Sequence, residues 1–215
     1  MLTRLSALFL ALALGSNVAG AGEFAAPPPD SAPHMMRVEA PAPTRDDVRK
    51  ALAARRDHNL AAFRAYRKGG IYPHNFVRSG PLNTWLDPEG HLCAAATMID
   101  KDGLHELVAD TGAKTNNIRL LDVTQGPLMD WMLTSGLTIE EIDRIQEPGF
   151  MPDEPMIDPA WRKAEDARLR KDYAATDAWL VKHAKIGLDS AVTRLMAHPD
   201  LARKLVAGEL NAPAA

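Results

Sequence analysis

A long, capped helical pattern near the start of the chain most constrains how it can fold. Thr44 is a favourable helix cap, and Asp46 and Asp47 follow in the first turn. Gly69-Gly70 ends the pattern after Lys68. Several residues recur on one face at helical spacing: Val48, Leu52, Asn59, Phe63 and Tyr66. Because a largely apolar face has to be covered, the sequence predicts a helix that packs along its length against other elements.

The rest of this helix is strongly basic. Its charged members are Arg45, Arg49, Lys50, Arg55, Arg56, Arg64, Arg67 and Lys68. The simplest interpretation is a solvated charged face. The alternative is a docking surface for an anionic partner, such as a cell-envelope polymer.

The stretch from Tyr72 to Ile99 contains the clearest turn of the chain and its only cysteine. Leu82, Thr84 and Leu86 alternate with Asn83, Trp85 and Asp87, which predicts a short strand. Asp87-Pro88-Glu89-Gly90 has Asp, Pro and Gly where a type I turn favours them. Cys93 then opens an uncharged, alanine-rich segment, which predicts a helix buried on most sides.

The remaining core elements follow from local signals. Residues 118–123 read as a second short strand, which we expect to pair with residues 82–86. Pro127 suits the first turn of a helix that ends before Gly136. Thr138 and Glu141 form a capping box that opens a further helix.

The C-terminal part is expected to be helical as well. Asp158 is placed to cap a helix that starts at Pro159 and ends at Gly187. Two shorter helices, over residues 189–197 and 201–207, complete the chain. The predicted fold class is therefore mostly α with a small two-stranded β element, as a single α-rich core domain plus a C-terminal helical segment.

The N-terminal residues predict export. A basic start, an apolar run and the small residues Ala19-Gly20-Ala21 are typical of a Sec signal peptide. The run of about ten apolar residues is too short to span a bilayer, which needs about 20. We expect a periplasmic or secreted protein with no transmembrane segment in the mature chain. Its predicted parts are a signal peptide (1–21), a Pro/Ala-rich linker (22–43), the core domain (44–149), a Pro-rich connector (150–159) and the C-terminal helical segment (160–210).

Cys93 is the one candidate nucleophile. A thiol at a helix start can have its pKa lowered by the helix dipole, and a thiol-dependent hydrolase or transferase would use it with a nearby base. His91 and His105 are the nearest bases in sequence, and Asp122 is a candidate orienting group, as are Asp87 and Asn83. The alternative is that Cys93 is an inert core residue, as free cysteines commonly are.

No cofactor or metal ion is expected from the motifs. The histidines and the cysteine do not show the pair spacings that are usual at zinc sites. Asp87-Pro88-Glu89-Gly90 slightly resembles a calcium loop, but Pro88 and the lack of a downstream ligand series argue against one. The sequence shows neither a serine nucleophile elbow nor a phosphate-binding glycine loop.

The motif D-x-x-G-x-x-C-A at residues 87–94 resembles one in a set of uncharacterised exported bacterial proteins. The same proteins share an upstream aromatic-Pro-x-Asn, as in residues 72–75, and a G-L-T-x-E-E helix, as in residues 136–141. The resemblance covers about residues 58 to 148. The chain departs from it at Ala95-Ala96, where Val-Gly is usual, and at Glu147. The resemblance implies export and one domain unit, and it implies no activity.

The leading functional hypothesis is a non-catalytic exported module that binds a protein or a cell-envelope component. The candidate binding residues are Tyr72, Asn75, Trp85 and Asp87. A nucleic-acid partner is not expected, because 25 basic and 28 acidic residues leave a net charge of −3 and nucleic-acid binding needs a concentrated basic face. A single cysteine permits no internal disulfide, so the fold depends on packing.

Overall fold

The computed structural model describes residues 42–153 and 159–211. Within these ranges the chain is mostly helical, with one two-stranded antiparallel sheet. The helices are α1 (Arg45–Gly69), α2 (Ala94–Lys101), α3 (His105–Thr115), α4 (Pro127–Thr134), α5 (Ile139–Ile145), α6 (Pro159–Met196) and α7 (Pro199–Val206), and the strands are β1 (Gly80–Leu82) and β2 (Gly149–Met151). Among the described helices, none combines the length and the apolar character needed to cross a membrane. The predicted signal peptide, the predicted linker up to residue 41 and the predicted Asp158 cap lie outside the described residues.

Helix α1 begins and ends where the sequence predicts. The Thr44 hydroxyl oxygen accepts a hydrogen bond from the Asp47 backbone N–H at 3.2 Å, and Asp47 accepts one from the Thr44 N–H at 3.1 Å. Gly70 ends the helix with φ of +68°, a conformation that favours glycine. The buried residues of the predicted face, including Val48, Leu52 and Phe63, pack into the core.

Helix α6 is longer than predicted and packs along α1. The predicted helix end at Gly187 is wrong, because α6 continues without a break to Met196 and takes in the predicted helix over residues 189–197. A Cβ atom at position 187 would lie only 2.3 Å from Glu141 Oε1. The absence of a side chain at Gly187 therefore lets α6 approach α5 closely, and the residue serves packing rather than helix termination.

The main core surrounds a group of aromatic rings between α1, α6 and the segment that follows α1. The ring of Tyr173 lies 5.7 Å from Phe63, 5.6 Å from Tyr66 and 5.3 Å from Tyr72. The alanines that open α2 are fully buried in the same cluster, as their uncharged sequence predicts. A second, smaller cluster joins α1 and α4 to the end of α6 and to α7. The C-terminal helices are thus part of the packed structure.

The small sheet is formed by different residues from those predicted. Strand β1 is antiparallel to β2, with Pro81 opposite Phe150. The predicted strand over residues 118–123 is wrong, since residues 120–122 form a short 3₁₀ turn. The side-chain amide of Gln146 accounts for this turn, because its oxygen accepts the Leu120 N–H at 2.8 Å.

Residues 83–86 nevertheless lie beside residues 116–118, held by asparagine side chains in place of a strand ladder. The Trp85 N–H donates to the Asn116 carbonyl at 2.8 Å. The Asn116 side chain accepts from the Leu86 N–H at 3.0 Å and donates to the Leu86 carbonyl at 2.8 Å. The prediction that these two segments lie side by side is correct. The prediction that they pair as two strands is wrong.

The basic residues of α1 form ion pairs with other elements of the fold. Arg64 and Arg67 both bind Asp177 of α6, at 2.9 and 3.0 Å. Arg56 is buried and binds Glu141 of α5 at 2.6 Å. The solvated-face interpretation is therefore wrong for Arg56, which is buried, whereas Arg64 and Arg67 are partly solvated and also attach α1 to α6.

Candidate functional site

Cys93 caps the N-terminus of α2 from a buried position. Its Sγ accepts the Ala96 N–H at 3.4 Å, and its own N–H donates to the Trp85 carbonyl at 2.9 Å. Burial raises the pKa of the Cys93 thiol to about 11, because the apolar surroundings disfavour the thiolate more than the backbone donors favour it. The thiol is therefore protonated near neutral pH, whereas a nucleophilic cysteine needs a lowered pKa.

His91, the nearest candidate base, is engaged by the turn that precedes it. Its Nδ1 lies 3.0 Å from Asp87 Oδ2. In the described ranges, no histidine nitrogen is hydrogen-bonded to the sulfur of Cys93. The structure therefore pairs His91 with a carboxylate and leaves the thiol with a backbone donor.

His105 and Asp122 are exposed, one at the start of α3 and the other at the end of the 3₁₀ turn. His105 begins α3, its side chain is 72% exposed, and its Nδ1 lies 2.6 Å from Asp100 Oδ1. Asp122 is exposed at the end of the 3₁₀ turn, where its N–H donates to the Arg119 carbonyl. Neither residue makes a hydrogen bond that links it to His91 or to the thiol within the described part of the chain.

The four candidate binding residues are all buried: Tyr72, Asn75, Trp85 and Asp87. Tyr72 donates its hydroxyl hydrogen to the Arg67 carbonyl at 3.1 Å. The Asn75 side chain donates to the carbonyls of Arg78 and Gly80, at 2.8 and 3.0 Å. These two side chains shape the segment that leads into β1.

Trp85 and Asp87 have a similar role in the segment that leads into α2. Trp85 Nε1–H donates to the Val108 carbonyl at 3.0 Å. Asp87 Oδ1 accepts the backbone N–H groups of Glu89 and His91, both at 2.9 Å. The predicted turn is present, closed by a hydrogen bond from Gly90 N–H to the Asp87 carbonyl at 3.1 Å.

An open groove of about 850 Å³ lies beside β1 and the end of α5 and is called the β1–α5 groove below. Three guanidinium groups line it, from Arg78, Arg119 and Arg144. Three side-chain amides, from Asn83, Asn117 and Gln146, and three apolar side chains, from Pro81, Leu82 and Leu121, complete most of the wall. Three carboxylates, from Glu140, Asp143 and Glu147, also line it, so the groove combines hydrogen-bond donors, charges of both signs and an apolar surface.

The carboxylates of the groove are engaged within the protein. Asp143 lies 3.5 Å from Arg119, and Glu147 lies 2.8 Å from Arg168. Hydrogen bonds from its own backbone N–H and from Thr138 hold the pKa of Glu140 below its usual value. A carboxylic acid that donates a proton in catalysis needs a raised pKa, so Glu140 is not suited to that role.

The lining of the groove, taken over the described residues, contains neither histidine, cysteine nor serine. Its candidate bases and nucleophiles are therefore the carboxylates of Glu140, Asp143 and Glu147. Arg144 is held in place by the Trp179 ring, 4.4 Å from the guanidinium carbon. Sequence reasoning missed the groove because its arginines come from three separate segments, and no local spacing connects them.

One group of side chains has the composition of a metal site. A ring nitrogen of His74, a carboxylate oxygen of Asp87 and one of Glu89 all lie within 4.8 Å of one another. Two of these residues belong to the turn before Cys93, and His74 belongs to the aromatic-Pro-x-Asn segment. The two motifs of the sequence therefore meet at this group.

Comparison of the chain with protein-family models, curated proteins and solved structures finds no match. The resemblance of residues 58–148 to exported bacterial proteins consequently stays a prediction. Any functional conclusion for this chain depends on its own geometry.

Proposed function

We propose that the protein is an exported, non-catalytic module that binds a protein or a cell-envelope component, and that the β1–α5 groove is its binding surface. The observation that carries the proposal is the composition of the groove: guanidinium, amide, carboxylate and apolar groups share one open cavity of about 850 Å³. Its three carboxylates are engaged by other groups of the protein, and such a surface is suited to recognising a ligand.

The groups of the groove fit a polar, partly anionic ligand. Guanidinium groups bind carboxylates and phosphates through paired hydrogen bonds. The amides of Asn83 and Asn117 offer donors and acceptors for a peptide backbone or for sugar hydroxyls. Leu82 and Leu121 supply apolar contact, and Leu121 is 39% exposed. A protein segment with acidic residues and an acidic envelope glycan both have these features.

Two further observations support the non-catalytic and exported parts of the proposal. The Cys93 thiol is buried and its pKa is raised to about 11, so the main catalytic candidate is not activated. The N-terminal residues have the pattern of a signal peptide, which supports a partner outside the cytoplasm.

A capture experiment with groove variants tests the proposal. The full chain is immobilised and exposed separately to the exported proteins and to the purified envelope polymers of its source cells. We expect one component to be retained by the wild type and lost by the double variant Arg119→Glu with Leu121→Asp.

The matched control is Ile186→Asp, which changes an apolar side chain that is 67% exposed on α6, outside the groove lining. This variant should retain the component like the wild type. Retention of nothing above background, or equal retention by all three proteins, would contradict the proposed groove function.

A further inference from the structure

We propose that His74, Asp87 and Glu89 form a binding site for a divalent transition-metal ion such as Zn²⁺, with His91 at its edge. The proposal does not rest on the function proposed for the β1–α5 groove. Its starting point is the group of three ligand atoms, from His74, Asp87 and Glu89, that lie within 4.8 Å of one another. His91 adjoins this group through its contact with Asp87.

His74 has the hydrogen bonding of a metal-binding histidine. The residue is 6% exposed, and its Nε2 lies 3.1 Å from Asp166 Oδ1. Its Nδ1 is buried and has no hydrogen-bond partner among the described residues. If Nε2 carries the proton toward Asp166, Nδ1 presents a bare lone pair, and a carboxylate on the far ring nitrogen is the usual support of a ligating histidine. A metal ion would satisfy this otherwise unpaired acceptor.

Glu89 is held in the orientation that such a site needs. One carboxylate oxygen, Oε1, accepts a hydrogen bond from Arg162 at 2.6 Å. The other oxygen, Oε2, faces His91, at 3.8 Å from its Nδ1. Arg162 therefore fixes the carboxylate through one oxygen and leaves the second oxygen for a ligand.

Asp87 and His91 stand at a separation that suits shared coordination. His91 Nδ1 lies 3.0 Å from Asp87 Oδ2 and 3.8 Å from Glu89 Oε2. Ligand atoms bound to one tetrahedral zinc ion, each about 2.0–2.2 Å from the metal, lie about 3.4 Å apart. The two observed distances lie on either side of this value. For His91 Nδ1 to bind the ion, the hydrogen that it shares with Asp87 would move to Nε2, and Asp87 Oδ2, which also accepts the His74 backbone N–H at 3.2 Å, would exchange His91 for the ion.

The turn and the adjacent rings complete the site. Gly90, with φ of +88°, turns the chain so that Asp87, Glu89 and His91 converge. The rings of Phe76 and Trp161 lie 6.0 and 5.8 Å from the His74 ring and exclude water from its faces. Mixed imidazole and carboxylate ligands favour Zn²⁺ or a similar ion over Ca²⁺, which takes oxygen ligands.

Zn²⁺ titration of the full chain, stripped with a chelator, tests the proposal. We expect calorimetry to show one ion bound per chain with micromolar or tighter affinity, and the unfolding temperature to rise with Zn²⁺. Glu89→Gln and His74→Gln should each weaken binding at least ten-fold. Asp166→Asn, which removes the support of His74, should weaken it by about 10- to 100-fold.

The matched control is His105→Gln, because His105 also pairs with an aspartate but is 72% exposed on α3. This variant should bind Zn²⁺ like the wild type. If His74→Gln does not fold, Glu89→Gln decides, since the Glu89 side chain is 39% exposed and its loss leaves the core intact. Absence of binding would overturn the proposal. Binding that Glu89→Gln leaves unchanged would be adventitious surface binding only and would overturn it as well.

Discussion

Arg56 of α1 holds Glu141 of α5 through two hydrogen bonds in the interior of the protein. Its guanidinium nitrogens lie 2.7 and 2.6 Å from the two carboxylate oxygens. Glu141 also accepts the Thr138 N–H at 2.8 Å, so the same carboxylate closes the capping box of its own helix. Arg56 additionally donates to the Gly136 carbonyl at 3.0 Å. One buried ion pair thus fixes the start of α5 against α1.

Glu141→Gln should destabilise the protein strongly. The substitution leaves the Arg56 guanidinium buried without its counter-ion, and breaking one side of a buried pair costs about 3–5 kcal/mol. Urea denaturation measures the loss as a lower free energy of unfolding. Glu140→Gln changes the exposed neighbouring residue and should cost less than about 1 kcal/mol. Similar losses in both variants would contradict this role for the ion pair.

Gly187→Ala should destabilise the protein although alanine is the better helix former. The new Cβ would clash with the Glu141 carboxylate, so either this carboxylate would have to leave Arg56 or α6 would have to move away from α5. The steric cost should exceed the gain in helix propensity, which is about 1 kcal/mol. The test compares the unfolding temperatures of Gly187→Ala and of the control variant Gly69→Ala with that of the wild type. A methyl group at position 69 would have no atom within 4 Å, so Gly69 should tolerate alanine. A rise in unfolding temperature for Gly187→Ala would be the contrary result.

The parts of the fold that depend on residues close together in the sequence were predictable from it. The Thr44 cap of α1 and the capping box of α5 follow from residues close together in the sequence, and both are present. The pairing of β1 with β2 joins segments about 70 residues apart in the chain, and no local pattern selects that partner. The packing role of Gly187 escapes sequence reasoning for the same reason, because its partner Glu141 is distant in sequence.

The candidate sites likewise combine features that have a local sequence signal with features that depend on residues distant in the chain. The turn at residues 87–90 and the start of α2 at Cys93 were recognised from local signals. The β1–α5 groove takes its arginines from three segments, and the metal-site group needs His74 to meet the turn. Burial of Cys93 depends on aromatic residues contributed by α1 and α6, so the state of its thiol could not be deduced from its position at a helix start.

Asp177→Asn should weaken the attachment of α6 to α1. Asp177 is mostly buried and binds both Arg64 and Arg67, whose side chains are 44% and 31% exposed. Because water screens the two arginines, we expect a loss of about 1 kcal/mol in the free energy of unfolding. The difference from wild type should shrink at high salt. Asp110→Asn, in an exposed pair with Lys114, is the control and should change stability by about 0.5 kcal/mol or less. Equal effects would contradict the structural role of Asp177.

Cys93 should react with alkylating reagents only when the protein opens. The sulfur is buried and the thiol is protonated near neutral pH, so both access and thiolate formation are restricted. We expect no modification of the native protein over the time in which the urea-unfolded protein reacts completely, measured by mass spectrometry. Rapid modification of the native protein at slightly acid pH would instead indicate an exposed thiolate and would favour the hydrolase or transferase hypothesis.

The raised pKa of Cys93 also predicts how stability changes with pH. The folded thiol has a pKa of about 11, and an unfolded thiol has one of about 8.5. Below about pH 8.5 both states keep the proton and the full stability is present. As the pH rises from about 8.5 to 11, only the unfolded state ionises, so stability falls, by about 2 kcal/mol at pH 10. Cys93→Ser keeps a cap acceptor for the Ala96 N–H and does not titrate in this range. The free energy of unfolding of the wild type relative to Cys93→Ser should therefore decrease between pH 8 and 10, and a constant difference would mean that the thiol is not buried in the native state.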